Sequence, residues 1–158
     1  NEMDRHHINI EFEFATPSPT AWVDPGQIRQ AMLNVVQNSR DAMPKGGRLS
    51  IKTYQDHQFS FVEFRDSGIG VPQDTLHRVF EPFYTTKPDG TGLGLSLTEQ
   101  IMAEHQGEIA LLPDSHGTLV RLTMPSSVYV IDSSNQPPDN WDPQAEDDAK
   151  VHPMPPMA

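Results

Sequence analysis

The stretch "WVDPGQIRQAMLNVVQNSRDAM" limits the possible folds more than any other part of the chain. Asp24 suits the cap before a helix, Pro25 its first position, and Gln27 falls at capping-box spacing. "PKGG" at 44–47 closes the run. Inside it, Ile28, Met32, Val35, Ala42 and Met43 form a single apolar stripe. A helix with one such stripe has to bury it against a second layer.

The remaining periodic segments supply that layer. "INIEFEF" (8–14) alternates strictly, with Ile8, Ile10, Phe12 and Phe14 on one face, which predicts a half-buried strand. "RLSIKTY" (48–54) and "FSFVEFRD" (59–66) are joined by a short polar turn, and "EIALLPDSHGTLVRLTMP" (108–125) reads as a closing hairpin. A second helix is predicted over "LGLSLTEQIMAEH" (93–105). Hairpins outnumber strand–helix–strand units, so the expected class is α+β. The architecture predicted is a two-layer sandwich in which helices cover one face of a mixed, mostly antiparallel sheet. Between the second hairpin strand and the second helix lies a Gly/Pro-punctuated segment, 67–94, with one short helical piece predicted around Gln73–Val79. Connections of that length inside a compact domain are functional lids or unstructured.

Composition sets outer bounds. The net charge of −11 comes without a basic cluster, which argues against binding nucleic acid through its backbone. No run of 18 apolar residues exists, so this segment is expected to make no membrane contact. Zero cysteines rule out disulfides and thiolate metal sites. Residues 126–158 carry six acidic residues against Lys150 alone, and six of the fifteen prolines. The expected division is therefore a domain over 1–125 and an acidic, Pro-rich tail over 126–158, disordered or loosely packed. "VYVID" (128–132) is either a last strand edge or the start of another domain. Asn1 is not an initiator residue, as expected of a piece cut from a longer protein.

Three features suggest chemistry, and each alone has an ordinary explanation. Asn34, Asn38 and Asp41 stand at i, i+4 and i+7 of the first helix and line one face. Two asparagines beside a buried stripe are either a solvated flank or a hard-cation site, since an amide oxygen can fill one vertex of a Mg2+ octahedron. Asp66 ends an apolar strand and is followed by Gly68 and Gly70. Such a carboxylate either closes a turn or accepts a hydrogen bond at a pocket mouth, where it would favour the exocyclic amine of adenine over the oxo group of guanine. "GTGLGLS" (90–96) resembles a nucleotide loop, but no Lys-Ser or Lys-Thr pair follows at Walker spacing. It does run straight into a helix, whose first N–H groups suit phosphate, with Lys87 just upstream. Phe80 and Phe83 are expected to anchor this lid to the body.

In order, "NVVQN", "DSGIG", "FEPFYTTK" and "GTGLGLS" resemble the N box, first glycine box, F box and second glycine box of the ATP-binding catalytic domain of sensor histidine kinases. The wider superfamily includes gyrase, Hsp90 and MutL, and the resemblance covers residues 8–125. It implies a Bergerat-type fold with ATP and Mg2+ held between the layers. Carried over by position, it makes Asn38 the metal ligand and Asn34 a residue lining the phosphates. Asp66 becomes the adenine reader, with Gly68 and Gly70 beside it and Thr118 supporting that end. Thr86, Lys87, Gly90, Gly92, Leu93 and Gly94 fall at phosphate-side lid positions, and Asn34, Asn38 and Lys87 form the implied catalytic set. Asp41 stands where family members often carry Lys, Arg or Tyr, and it is given no phosphate contact.

The resemblance also separates kinase from ATPase. Hydrolytic branches place a glutamate where Asn34 stands, and an amide cannot act as general base. The implied role is therefore transfer of the γ-phosphate by positioning and charge neutralisation. The acceptor would be a histidine on a separate dimerising helix pair, with a response regulator receiver downstream and a cytoplasmic setting. None of the histidines, at 6, 7, 57, 77, 105, 116 and 152, sits in the "H-[ED]-x-[RK]-x-P" context of such helices. His105 and His116 are read as structural. The alternative is a stand-alone anti-sigma-factor-like serine kinase, or an ATP-binding regulator of the same fold.

Overall fold

A computed structural model of the chain describes residues 7–87, 90–114, 116–127 and 151–152. Five strands form one sheet: β1 (Ile8–Phe14), β3 (Gly47–Gln55), β4 (Phe59–Asp66), β5 (Glu108–Asp114) and β6 (Gly117–Pro125). Their order is β1-β3-β4-β6-β5. Only β1 and β3 run parallel, because the long first helix separates them; the other neighbours pair antiparallel. Two helices, α1 (Pro25–Ala42) and α2 (Gly94–Glu104), cover one face. Ile28, Ala31 and Val35 of α1, with Ile101 and Met102 of α2, close on Leu49, Val62, Phe64 and Leu122 of the sheet. The opposite face carries cross-strand polar pairs instead. Glu63 accepts from both Tyr54 Oη (2.8 Å) and Arg121 Nε (2.7 Å), and the Tyr54 ring stacks on Phe61. The protein is thus the two-layer α+β sandwich that its patterning predicts.

Three local expectations need correction. Phe12 and Phe14 are 62% and 63% exposed, although Ile8 on the same face is buried. The helices pack over β4, β5 and β6, so the far half of the edge strand β1 projects beyond their cover. The helical piece around Gln73–Val79 shrinks to a 3-10 turn at Gln73–Thr75. Beyond it the chain continues as i to i+3 turns, with Arg78 N–H donating to Thr75 O and Glu81 N–H to Arg78 O. A segment of that length bounded by Pro72 and Pro82 cannot recover the cost of helix nucleation.

The third correction concerns the start of α1. Asp24 Oδ1 accepts from Gly26 N (2.7 Å) and Gln27 N (2.9 Å), as a cap should. The return bond is not made by Gln27. His105, at the end of α2, accepts the Asp24 N–H through Nε2 at 2.9 Å while its Nδ1 donates to Ile101 O at 2.7 Å. Both ring nitrogens are spent on backbone, and His105 ties the end of one helix to the start of the other.

Short strand β2 (Ala21–Trp22) lies apart, bridged to Ser126 and paired in parallel with β7 (Val151–His152). Ser126 N–H donates to Gln58 O and Ser127 N–H to Thr20 O, so backbone bonds to the body continue two residues past Pro125. "VYVID" and most of the acidic tail lie outside the described residues. No helix among the described residues is long and apolar enough to cross a membrane.

Candidate nucleotide site

The site-bearing residues gather in two clusters around the C-terminal half of α1. The first sits at the strand ends. Asp66 is 4% exposed, and Thr118 faces it across the β4–β6 ladder. The Asp66 carboxylate accepts from Gly68 N–H at 2.9 Å, and the Ser39 hydroxyl and the Thr118 backbone N–H lie near enough to favour its charged form. Burial raises its pKa above the usual carboxylate value, and these three donors only partly oppose the rise.

The glycines at this end are demanded by the protein's own packing. A Cβ on Gly68 would come within 2.7 Å of Ala42 Cβ and Ala42 O, because the loop turns hard against the end of α1. The next residue fixes that approach, with Ile69 N–H donating to Ala42 O at 3.1 Å. Gly117, at φ +144°, passes so close that an added Cβ would lie 2.0 Å from Asp66 O. Gly70 takes φ +73° beside the Gly117 carbonyl.

The second cluster lies one turn back along α1, under the lid. Asn34 is buried, and its Nδ2 donates to Gly94 O (3.1 Å) and Thr98 Oγ1 (3.3 Å), while its Oδ1 accepts from Gln30 Nε2 (3.0 Å). Those bonds stitch α1 to the first turn of α2. Gly94 also lies beside Asn38, and the space an added Cβ would fill there ends 3.8 Å from Asn38 Nδ2. Lys87 reaches down from the lid, its Nζ donating to Asn38 Oδ1 at 2.9 Å and to Asp41 Oδ2 at 2.7 Å. Arg40 holds the other Asp41 oxygen at 2.9 Å. Burial pushes the Asp41 carboxyl up, but the hydrogen bonds and charges of Lys87 and Arg40 outweigh it and leave the pKa below the ordinary value.

The rest of the lid is held by turns. Lys87 N–H donates to Thr85 Oγ1 (3.0 Å) and Gly90 N–H to Lys87 O (3.2 Å), so Thr85 organises the bend. Phe83 N–H donates to Gly92 O at 2.9 Å, and Gly92 has to be glycine both for its φ of +66° and because a Cβ there would strike the Phe83 backbone at 2.4 Å. Phe80 packs against the core as expected. Phe83 does not anchor the lid; at φ +67° its ring points outward and is 75% exposed. Leu93 precedes α2, and no side chain caps that helix.

The structure therefore brings Asn34, Asn38, Lys87 and Gly94 together, and separately Asp66, Gly68, Gly70 and Thr118. Thr86, Gly90 and Leu93 lie on the lid with no side-chain bond to either group among the described contacts. Sequence reasoning missed Ser39, Thr98 and Gly117. A serine inside a helix next to an apolar stripe was the available sign for Ser39, which is 2% exposed.

This arrangement, a buried strand-end carboxylate and an asparagine-lined helix under a glycine lid, defines a nucleotide-binding domain of the two-layer kind. Residues 23–128, more than half of the chain, match the model of the histidine kinase-, DNA gyrase B-, and HSP90-like ATPase family, and the chain belongs to that family. Sporulation kinase E of Bacillus subtilis is 37% identical over 123 residues, covering 75% of this chain and 16% of the relative. Sensory histidine kinase/phosphatase NtrB of Rhodobacter capsulatus is 30% identical, covering 75% of this chain and 37% of its own length. The catalytic domain of histidine kinase ThkA superposes with a TM-score of 0.73 at 30% identity, covering 78% and 82% of the two chains. ThkA in complex with response regulator protein TrrA gives 0.70 at 25%, covering 80% and 36%. The domain is an ATP-binding catalytic domain of the sensor histidine kinase kind, and it spans only a fraction of the length of the curated kinases it matches.

Proposed function

We propose that this domain holds ATP with Mg2+ and presents the γ-phosphate to a histidine on a separate dimerising helix pair of the same protein. It would act in the cytoplasm as the catalytic module of a two-component phosphorelay. In that reading Asp66 accepts from the adenine amine, supported by Gly68, Gly70 and Thr118. Asn34 lines the phosphate path, and Lys87 and the lid backbone at Thr86, Gly90, Gly92, Leu93 and Gly94 face the phosphates. Asn38 is the protein's metal ligand. Its amide oxygen is a hard, neutral donor already in contact with a cation, the Lys87 ammonium, so the donor chemistry fits Mg2+. The bound metal would neutralise phosphate charge during transfer.

What supports transfer over hydrolysis is the chemistry of residue 34. Its side chain is an amide bonded to Gly94 O, Thr98 and Gln30, so no carboxylate stands there to take a proton from water. A response regulator receiver is the downstream partner proposed, by analogy with the ThkA–TrrA complex. The anti-sigma-type serine kinase is the weaker reading, since the relatives described above are sensor or sporulation kinases.

The deciding experiment mixes the chain with a dimerising helix pair and labelled ATP in trans. Acid-labile, base-stable phosphate should appear on the helix pair and not on this chain. Label on this chain alone would mean the acceptor is misassigned. Rapid phosphate release without either product would point to an ATPase. Asn38→Ala should remove the Mg2+ dependence of nucleotide binding while the fold survives.

A further inference from the structure

The lysine that joins the lid to α1 sits on the oxygen a metal would need. Lys87 Nζ contacts Asn38 Oδ1 and Asp41 Oδ2 at once, and Asp41 stands one turn further along the same helix face. We propose that Asp41 is a positioning residue that parks the Lys87 ammonium on Asn38, so that lysine and divalent cation compete for one amide oxygen. This rests on the assignment of Asn38 as metal ligand.

An amide oxygen has two lone pairs, so geometry alone does not forbid sharing. Charge does. A divalent ion coordinated about 2.1 Å from Oδ1 would lie within a few ångströms of an ammonium at hydrogen-bond distance from the same atom. Like charges that close, with both side chains partly withdrawn from water, repel strongly. Metal entry therefore moves Lys87 off Asn38. Asp41 stays in reach, because its contact with Lys87 does not pass through the amide, and the ammonium can pivot on the carboxylate. Without Asp41 the lysine would hold Asn38 through a neutral acceptor alone and would yield more readily. Arg40 is not a substitute holder, since it carries the same charge as Lys87 and binds the other Asp41 oxygen.

The direction of the effect identifies the device. If Asp41 merely added negative potential near a cation site, its removal would weaken metal binding. Parking predicts the reverse. The test uses the 158-residue chain with a fixed concentration of AMPPNP, titrating MgCl2 and following bound nucleotide by calorimetry. Asp41→Asn should lower the Mg2+ concentration at half-saturation about two- to fivefold, the factor expected for a part-exposed ion pair. Asp41→Ser should do the same, and Asp41→Glu should restore the wild-type value. In a Lys87→Met background, Asp41→Asn should no longer lower it. A raised or unchanged Mg2+ requirement in Asp41→Asn overturns the proposal, as does an equal decrease in the Lys87→Met background. If wild type binds AMPPNP without any Mg2+ dependence, the metal assignment fails and parking falls with it. If Asn38→Ala abolishes the dependence and Asp41→Asn does not shift it, the metal assignment stands and parking alone is rejected.

Discussion

The two ends of the candidate site are built from different materials. At the strand ends, Asp66 is enclosed, bonded to the Gly68 N–H with the Thr118 N–H and a buried serine close by, and Gly117 is pressed against its carbonyl. Under the lid, the central bond is made by Lys87, a side chain 39% exposed, reaching across to an asparagine and a part-exposed aspartate. Backbone packed at van der Waals limits cannot rearrange without moving strands. A part-exposed ion pair contributes about 1 kcal/mol or less and can be exchanged for a ligand contact. Under the proposed function, the rigid end would read a base that never changes, and the exchangeable end would let phosphates and a metal in and out.

Paired glycine substitutions should expose that contrast most strongly. Gly117→Ala puts a Cβ onto Asp66 O at a positive φ, and should lower stability by about 3 kcal/mol or more. Gly94→Ala would meet Asn38 Nδ2 and Asn34 Cβ only at ordinary contact distance, 3.8 and 3.9 Å, at the start of α2, and should cost less than about 0.5 kcal/mol. Urea unfolding of both variants measures this directly. Equal losses would mean that the strand end is no more rigid than the lid.

Next in size is base selection. Asp66→Asn keeps the shape but replaces an acceptor with a group that donates on one side. ATP affinity should fall about 10- to 100-fold, the range for a hydrogen bond to a charged group, and the preference for ATP over GTP should disappear. Calorimetry with both nucleotides checks it, and a preserved preference would remove Asp66 from base recognition. At the phosphate end, Lys87→Met should weaken Mg–ATP binding about five- to tenfold while the unfolding midpoint stays nearly constant. A large stability loss there would make Lys87 a structural strut instead of a ligand contact.

Most of the fold and part of the site were legible in the sequence, for physical reasons that can be traced residue by residue. Local patterning marked β1, β3, β4 and the closing hairpin, and the Asp24–Pro25 start marked α1, whereas the two-residue β2 at Ala21–Trp22 left no period to read. The asparagine stripe, the strand-end Asp66 and the glycine lid were each visible but ambiguous. Their common location required the strand order and the return of Gly94 to α1, which no local pattern carries. What could not be read were long-range substitutions of partner. His105 takes the capping role suggested for Gln27, Ser39 reaches Asp66 from a helix interior, and Phe83 turns outward because its backbone is committed to Gly92. Phe12 and Phe14 fit the strand period but fall outside the area the helices cover, and period says nothing about coverage.

The smallest effect gives the finest comparison, because the two aspartates should titrate with opposite sign. Burial raises Asp66 above its ordinary 3.8, so the folded state binds that proton more tightly than the unfolded chain does. Its contribution is fully present below 3.8 and is lost as pH rises through the raised value. For Asp41 the hydrogen bonds and charges of Lys87 and Arg40 overcome the effect of burial, and the pKa falls below 3.8. That contribution is present above 3.8 and is lost as pH falls through the lowered value. Unfolding free energies of wild type, Asp66→Asn and Asp41→Asn, taken at close pH steps through the acid range, separate the two. The advantage of wild type over Asp66→Asn should shrink as pH rises, and its advantage over Asp41→Asn should shrink as pH falls. If both differences move in the same direction, desolvation does not dominate at Asp66, and its three donors govern it as Lys87 and Arg40 govern Asp41.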